Sequence, residues 1–253
     1  MNILVTFAVE PEFEAWRTSR SFKGTLQGKV PTYAAEFGGS AVTVILTGMG
    51  PANASNAMAA VAAGFDVCIC SGFCGSLRDA HGVGDLLVAR GVQRLDGSEN
   101  LRCAPELLVP AEACGAKTVE RFLSSDAIVA SVADKARLAP VADAVDMESF
   151  AVLSVARDRG MGAIAIRAVS DRFDQALPMD FSGTVDSCGH VLKGKLAQSI
   201  AEQPWKIPAL IRLGKQSKIA SENLISFLEK YIERISSRSF AEPDATAASP
   251  VVQ

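Results

Sequence analysis

Carboxylates stand where apolar runs of this sequence end. Glu12 follows the run NILVTFAV, Asp146 and Glu148 lie in the stretch AVDMESFAV, and Asp171 follows the run AIAIRAVS. Folding alone gives little reason to place ionised carboxylates there, because a charge removed from water costs free energy unless it is paired or bound by a ligand. In a partly desolvated pocket such carboxyl groups can act as general acids or bases. The pattern therefore predicts a polar partner for Asp146 and Glu148, whereas Glu12 could instead complement a helix dipole and Asp171 could instead form a turn.

Strands and helices in alternation must position these groups. The sequence predicts strands at NILVTFAV, AVTVILTG, DVCICSGF, DLLVARGV and AIAIRAVS, each apolar and bounded by Gly, Pro or Asp. Helical patterns cover residues 51–64, 132–138 and 147–159. This alternation predicts a single α/β domain whose central mixed or parallel β-sheet is flanked by helices. Functional loops are expected at the carboxyl ends of the strands.

The composition favours small-molecule partners. The chain has 253 residues and a formal net charge of −3, and it lacks the basic patch that nucleic-acid binding demands. The N-terminus does not resemble a signal peptide, and Asp66 interrupts the longest apolar run, so we expect a cytoplasmic protein without an integral membrane segment. Arg212, Lys215 and Lys218 form a basic turn that could touch a membrane surface, although a solvated helix face is the favoured interpretation.

One domain accounts for most of the chain. The predicted α/β domain covers residues 1–235. Within it, residues 175–205 form an insertion and residues 206–235 a long C-terminal helix. Residues 236–253 are small, polar and Pro-containing, and we expect them to be disordered. The six cysteines are expected to be reduced, and no metal site is predicted, because their spacing matches no standard zinc pattern.

Two glycine-containing loops follow predicted strands. TGMGPANAS begins at Thr47 and contains Gly48, and SGFCGS contains Gly72. Glycine lets the backbone approach a ligand closely, although both loops could equally be tight turns. Neither loop matches a dinucleotide-binding or P-loop motif, so a dinucleotide or ATP site is poorly supported.

The order of five motifs resembles the nucleoside phosphorylase and nucleosidase superfamily. AVEPE, TGMG, GFCGSL, AVDMES and IRAVSD follow one another over about residues 1–175, and VDMES followed by VSD is the most specific part. The first strand is most similar to methylthioadenosine/S-adenosylhomocysteine nucleosidases. Beyond residue 140, AVDMESFAV, RAVSDRFDQALP and WKIPALIRLGKQSKIA look more like the hopanoid-associated phosphorylases, which act on an adenosine with a bulky apolar group at its 5′ side.

The resemblance implies an enzyme that cleaves the N-glycosidic bond of a purine nucleoside. Glu148 would accept hydrogen bonds from the ribose hydroxyls, with Met147 packed beside the sugar. A carboxylate there would also stabilise the positive charge that develops as the bond breaks. Glu12 would activate a water molecule. Asp171 would donate or share a proton at the purine N7.

The remaining positions implied by the resemblance surround these groups. Asp146 is interpreted as a helix N-cap or a partner of the helix dipole. Apolar side chains of the insertion, at Phe173, Leu177, Met179 and Phe181, could line a 5′ pocket or pack as ordinary core. The other residues expected to bind substrate or to hold its surroundings in shape are Ala8, Thr47, Gly48, Gly72, Phe73, Ile128, Val129, Arg167 and Ser170.

Departures from the family pattern concern the nucleophile, which is water or phosphate, and the recognition of the purine base. Cys70 and Phe73 stand where phosphorylases of the hexameric bacterial type carry phosphate-binding Arg and Ser, which favours hydrolysis. Arg78, Arg90 or backbone amides of the Thr47 loop could instead bind phosphate. In the segment SSDAIV, Ile128 and Val129 replace the aromatic residue that stacks on adenine in the nucleosidases.

Hydrolysis of a 5′-substituted, adenine-type nucleoside is the leading hypothesis. The alternatives are phosphorolysis of an adenosyl-hopanoid-type nucleoside, with phosphate as co-substrate, and nucleoside binding without turnover. No metal or organic cofactor is expected. The resemblance implies at least a homodimer.

Overall fold

The protein is an α/β domain built on one large mixed sheet. The computed structural model describes residues 1–237 except 62, 98, 180, 187 and 189. The strands are β1 (Asn2–Phe7), β2 (Lys23–Gln27), β3 (Val30–Phe37), β4 (Ser40–Leu46), β5 (Val67–Cys70), β6 (Phe73–Ser76), β7 (Leu86–Arg94), β8 (Asn100–Arg102), β9 (Lys117–Ser124), β10 (Ala144–Asp146) and β11 (Gly162–Asp171). The helices are α1 (Glu10–Ser19), α2 (Pro51–Ala60), α3 (Pro105–Ala113), α4 (Val132–Leu138), α5 (Ser149–Asp158), α6 (Lys193–Glu202) and α7 (Ile207–Ser237).

The eleven strands lie in the order β2-β3-β4-β1-β5-β11-β6-β10-β9-β7-β8, with a further pairing between β11 and β7. That extra pairing closes β11, β6, β10, β9 and β7 into a ring. The central strands β4, β1, β5 and β11 are parallel, so their carboxyl ends meet at one edge. This confirms the predicted mixed α/β sheet and places the ends of β1 and β11 together.

Strand β11 connects the two parts of the sheet. Its first residues pair with β5 and its last residues with β6, and the register shifts between Val169 and Asp171. A bulge of this kind re-aims a side chain and often lies beside a functional site. Here it lies at Ser170 and Asp171, where the sequence predicts a substrate-binding serine and a catalytic carboxyl group.

Some elements differ from the sequence-based expectations. The run DVCICSGF contains β5 and the first residue of β6, because the strand is interrupted at Ser71 and Gly72. The helix expected over residues 147–159 is preceded by the short strand β10 and begins only at Ser149. The hairpin β2–β3 and the strand β9 were missed. Their exposed faces carry charged and polar residues, which weakens the apolar signal.

The insertion at 175–205 is not simply a loop, because it contains α6. The helix α7 begins at Ile207 rather than 206, and it includes residues 236 and 237 of the expected tail. The remainder of that tail lies outside the described residues.

Helix α7 has two parts. With 31 residues at about 1.5 Å each it is roughly 46 Å long. The half that begins at Ala220 packs against the sheet, and Tyr231 donates a hydrogen bond to the carbonyl of Leu107 at 3.0 Å. Residues 207–219 contain no buried side chain, and neither does α6. In the described part of the chain, no helix is both long and apolar enough to cross a membrane.

Candidate active site

A cavity of about 970 Å³ opens beside the carboxyl ends of β1 and β11. It lies between the sheet on one side and the insertion, α6 and α7 on the other. Eight of the residues predicted from the sequence line it, namely Ala8, Glu12, Phe73, Ile128, Met147, Glu148, Ser170 and Asp171. Glu12 therefore shares one cavity with Glu148 and Asp171, which lie more than a hundred residues later in the sequence.

Glu12 is held by backbone amides at the start of α1. Its Oε2 accepts hydrogen bonds from the N–H groups of Ala8 (2.8 Å) and Val9 (3.2 Å), and its Oε1 accepts one from Phe73 (2.7 Å). Burial raises the pKa of this carboxyl, while Arg167 and the three amides oppose that rise. The side chain therefore caps its own helix and at the same time presents a carboxyl to the cavity.

Gly72 lies directly behind Glu12. Its φ is +135°, a conformation that only glycine adopts readily. A Cβ atom at this position would lie 2.5 Å from Nη1 of Arg167 and 2.6 Å from Oε1 of Glu12. Gly72 does not line the cavity. It acts by letting the backbone turn tightly between β5 and β6, so that the Phe73 amide reaches Glu12.

Arg167 is buried and lies beneath the carboxylates. Its Nε donates to Oδ2 of Asp146 at 2.9 Å, and its Nη1 donates to the carbonyl of Ser71 at 2.8 Å. Its Nη2 donates to Ser149 Oγ at 2.9 Å. Burial lowers the pKa of Arg167, but Asp146, Glu148 and Glu12 more than offset this and raise it above the ordinary value. Arg167 thus supports the site as a fixed cation.

The position of Asp146 corrects part of its sequence-based interpretation. Its Oδ1 does accept from the Ser149 amide at 3.1 Å, as a helix-capping group would. Its main partner, however, is Arg167, with which it forms a buried ion pair, and it also contacts the Ser149 and Ser124 hydroxyls. Such a pair is costly to break, because removing either partner leaves an uncompensated buried charge.

Glu148 has few partners of its own. Its Oε1 accepts from the Gly50 amide at 2.7 Å, and its Oε2 lies 3.9 Å from Nη2 of Arg167. Burial raises the pKa of Glu148 to about 7, and Asp146 and Glu12 contribute to the rise while Arg167 and Gly50 oppose it. A buried carboxyl with one remaining oxygen free of a strong donor is suited to accept hydrogen bonds from a ligand.

Asp171 is paired with a lysine that no motif or spacing in the sequence singles out. Lys135 of α4 is buried and forms an ion pair with Oδ2 of Asp171. The same ammonium group donates to the carbonyls of Arg172 (2.7 Å) and Gln175 (3.0 Å). Ser170 donates to Oδ1 of Asp171 at 2.8 Å. Lys135 lies in VADKARL, where its spacing looks like that of any surface lysine.

Three of the other predicted residues lie away from the cavity lining. Thr47 is buried, and its hydroxyl lies within hydrogen-bond distance of the carbonyls of Phe7 (3.3 Å) and Gly48 (2.9 Å), so it is engaged by the backbone. Gly48 is the second. Val129 is the third; it packs against the small cluster that contains Leu77, although its neighbour Ile128 faces the cavity.

The two arginines considered as phosphate ligands are placed elsewhere. Arg78 lies 3.4 Å from Asp143, and Arg90 lies 3.1 Å from Glu120. Neither lines the cavity, and Lys218 is the only cation in its lining among the residues that the structure describes. Among the described residues, no group of three His, Cys, Asp or Glu side chains is arranged to hold a metal ion.

The far side of the cavity is apolar. Of the four insertion residues considered for a 5′ pocket, Leu177 and Phe181 line it, while Phe173 and Met179 do not. Further apolar side chains come from α6, from α7 and from the segment before α6. They are Val185, Val191, Leu196, Ile200, Ile207, Leu210, Ile211 and Leu213.

Comparisons with known proteins identify the family and the fold. A family model described as the phosphorylase superfamily matches residues 2–201. No curated protein matches the sequence. Among solved structures, a 5′-methylthioadenosine/S-adenosylhomocysteine nucleosidase from Neisseria meningitidis, in complex with methylthio-immucillin-A, is 21% identical with a TM-score of 0.68, and the match covers 92% of this chain and 98% of that one.

Two other solved structures are similar to the same degree. A putative nucleosidase of the same type from Francisella philomiragia is 17% identical with a TM-score of 0.71, covering 92% of this chain and 99% of that one. A futalosine hydrolase mutant from Helicobacter pylori is 18% identical with a TM-score of 0.67, covering 90% and 98%. At sequence identities this low, the structural similarity establishes a shared fold.

Proposed function

This chain belongs to the phosphorylase superfamily, and on that premise we propose that it hydrolyses the N-glycosidic bond of a 5′-substituted purine nucleoside. The observation that carries the proposal is the convergence of Glu12, Glu148 and Asp171 on one cavity. Each carboxylate is buried and each has a different environment. Carboxyl groups whose environments differ can divide the work of base, sugar ligand and acid.

Glu148 is proposed to bind the ribose. Its single strong donor in the free protein is the Gly50 amide, so its remaining acceptor positions are available to the sugar hydroxyls. Binding of those hydroxyls favours the ionised form of a carboxyl whose pKa is raised to about 7. The resulting carboxylate then stabilises the positive charge on the sugar in the transition state.

Glu12 is proposed to activate the nucleophilic water. Three backbone amides fix the orientation of its carboxyl group, so a water bound to it would be held in one place. Burial raises its pKa, which makes it a better proton acceptor at neutral pH than an exposed glutamate. No metal or organic cofactor is required for this step.

Asp171 is proposed to assist the departure of the purine. Breaking the bond leaves negative charge on the base, and Asp171 relieves it by sharing with N7 the proton that lies between its carboxyl and the Lys135 ammonium. Ser170 orients one oxygen of this carboxyl and Lys135 the other, and the Lys135 ammonium supplies positive charge next to the leaving group. Ile128 offers an apolar surface for the purine ring.

Hydrolysis is favoured over phosphorolysis by the charges around the cavity. Glu12, Asp146, Glu148 and Asp171 line it, and a phosphate dianion placed among them would be repelled. Arg167 donates to buried partners and does not line the cavity. Phosphorolysis remains the alternative, in which Lys218 and backbone amides would have to hold the phosphate.

The apolar side of the cavity favours a bulky 5′ substituent. A methylthio group would fill little of the space bounded by the insertion, α6 and α7, whereas a lipid-like or hopanoid group would bury a large apolar surface there.

An alkylthio series at the 5′ position tests this preference for a bulky 5′ substituent. KM should fall as the chain lengthens, and Leu196→Asp should abolish that trend while leaving the KM for methylthioadenosine nearly unchanged.

Base release from methylthioadenosine, S-adenosylhomocysteine, adenosine and inosine, with and without phosphate, tests the reaction. Asp171→Asn should lose catalysis but retain nucleoside binding, and Asp158→Asn, an exposed control far from the cavity, should behave as wild type. Release that persists in Asp171→Asn would refute its role. Nucleoside binding with no base release by the wild type under either condition would support a binding protein without turnover.

A further inference from the structure

The surface formed by residues 193–219 combines exposed apolar and basic side chains. It consists of α6, the turn Pro204–Lys206 and the first part of α7, and we call it the basic apolar face. Trp205 is 72% exposed and Ile211 56% exposed, and Ile207 and Ile219 are also exposed. Four of the nine exposed large hydrophobic side chains in the described structure thus lie within fifteen residues of each other, whereas the other five are scattered.

Most of the charged side chains on the same face are positive. It contains six cations and one carboxylate, Glu202, although the whole chain has a net charge of −3. The cations are Lys193, Lys195, Lys206, Arg212, Lys215 and Lys218. Among the described residues, only Lys218 of these six lies near a carboxylate, at 3.9 Å from Glu222. Unpaired cations beside exposed Trp and Ile side chains are the pattern of helices that lie in a membrane interface.

The basic apolar face surrounds the mouth of the cavity. Ile207 and Ile211 are one helical turn apart, and each is both exposed and part of the cavity lining, so they form its rim. Arg212 and Lys215 follow on the outer side of the helix, where they are exposed. The apolar interior of the cavity is therefore continuous with an apolar surface that is bordered by cations.

We propose that the basic apolar face docks on an anionic lipid bilayer, with Trp205 and the exposed isoleucines in the headgroup region and the cations on the lipid phosphates. A second copy of this chain fits less well, because a twofold interface would bring this face against itself and its cations against one another. Docking would place the cavity mouth against the membrane, so an amphiphile could enter without exposing its tail to water. The docking itself does not depend on the reaction proposed above.

Vesicle co-sedimentation of the full-length protein tests the proposal. Wild type should bind vesicles of equal parts phosphatidylcholine and phosphatidylglycerol, bind pure phosphatidylcholine weakly, and be released as salt is raised. Replacing Lys206, Arg212 and Lys215 together by Gln should weaken binding by about fivefold per cation. The control removes three exposed cations elsewhere, Lys23, Lys29 and Arg102, with the same change in net charge, and should bind nearly as wild type.

The apolar contribution has its own matched pair of variants. Trp205→Ser with Ile219→Ser should weaken vesicle binding, whereas Leu26→Ser with Val109→Ser, at exposed positions outside the face, should not. The chain has two tryptophans, and Trp16 is fully buried. Brominated lipids should therefore quench Trp205 alone, and Trp205→Phe should remove the quenching.

Three outcomes would overturn the proposal. One is failure of the wild type to bind anionic vesicles, and another is an equal loss in the control variants. The third is a dimer, in sedimentation without lipid, that dissociates in the Trp205→Ser/Ile219→Ser variant while vesicle binding is absent, which would assign the face to a second copy. Because none of these measurements uses base release, failure of the proposed reaction would leave them interpretable.

Discussion

Glu148 should make the protein less stable as pH rises, and replacing it by Gln should remove that loss. Burial raises the pKa of Glu148 from the ordinary value of 4.5 to about 7. In the window between these values, the folded state holds a proton that the unfolded state has released. Folding stability therefore falls with increasing pH across this window and is constant above it. At about 1.4 kcal/mol per pH unit, the total loss is about 3 kcal/mol.

The variant Glu148→Gln keeps an oxygen that can accept from the Gly50 amide but cannot ionise. Relative to wild type, it should gain about 3 kcal/mol of unfolding free energy between about pH 4.5 and about pH 8. Other titrating groups, including Glu12, contribute to both proteins and largely cancel in the difference.

Urea unfolding of both proteins at several pH values measures this difference. Glu36→Gln, a replacement of an exposed glutamate on β3, is the control, because its side chain keeps its hydration on folding. If the difference in unfolding free energy between wild type and Glu148→Gln is the same at low and high pH, then ionisation of Glu148 does not destabilise the folded protein and the reasoning is refuted. A change of the opposite sign, in which the unfolding free energy of the variant falls relative to that of wild type as pH rises, would also refute it.

Two further predictions concern the groups that support the carboxylates. Gly72→Ala should lower base release strongly and destabilise the protein, because the new methyl group would overlap Glu12, whereas Gly28→Ala, at a positive φ with nothing nearby, should lower only the thermal unfolding temperature. Lys135→Met should cost about 3–5 kcal/mol in urea unfolding because Asp171 is left buried without its partner, and the double variant with Asp171→Asn should recover much of that loss. A Lys135→Met protein as stable as wild type would show that the pair contributes nothing.

The sequence predicted the carboxylates better than the groups that hold them. Glu12 and Asp171 follow apolar runs whose strands end at one edge of the sheet, and the family resemblance carried by the order of the motifs predicted that they share a site with Glu148. Lys135 reaches Asp171 across 36 residues of chain through the placement of α4. That contact depends on tertiary packing and leaves no local pattern in the sequence.

The ion pair between Asp146 and Arg167 illustrates the same limit. Asp146 was interpreted locally, as a helix N-cap or a partner of the helix dipole. Its principal partner comes instead from β11, whose pairing with β5 and β6 could not be read from the apolar pattern alone. Helix α6 lies in the stretch that was interpreted as a loop-like insertion, and none of its residues is buried in the structure.

The most direct test of the central claim is the fate of oxygen in the sugar product. Wild-type protein and Glu12→Gln would be incubated with a 5′-alkylthioadenosine in ¹⁸O-labelled water without phosphate, and the products analysed by mass spectrometry. Wild type should release adenine together with a free sugar that carries the label at its anomeric oxygen, and Glu12→Gln should be at least about a hundredfold slower. Adenine release that begins only when phosphate is added, with an unlabelled sugar 1-phosphate as the product, would contradict hydrolysis.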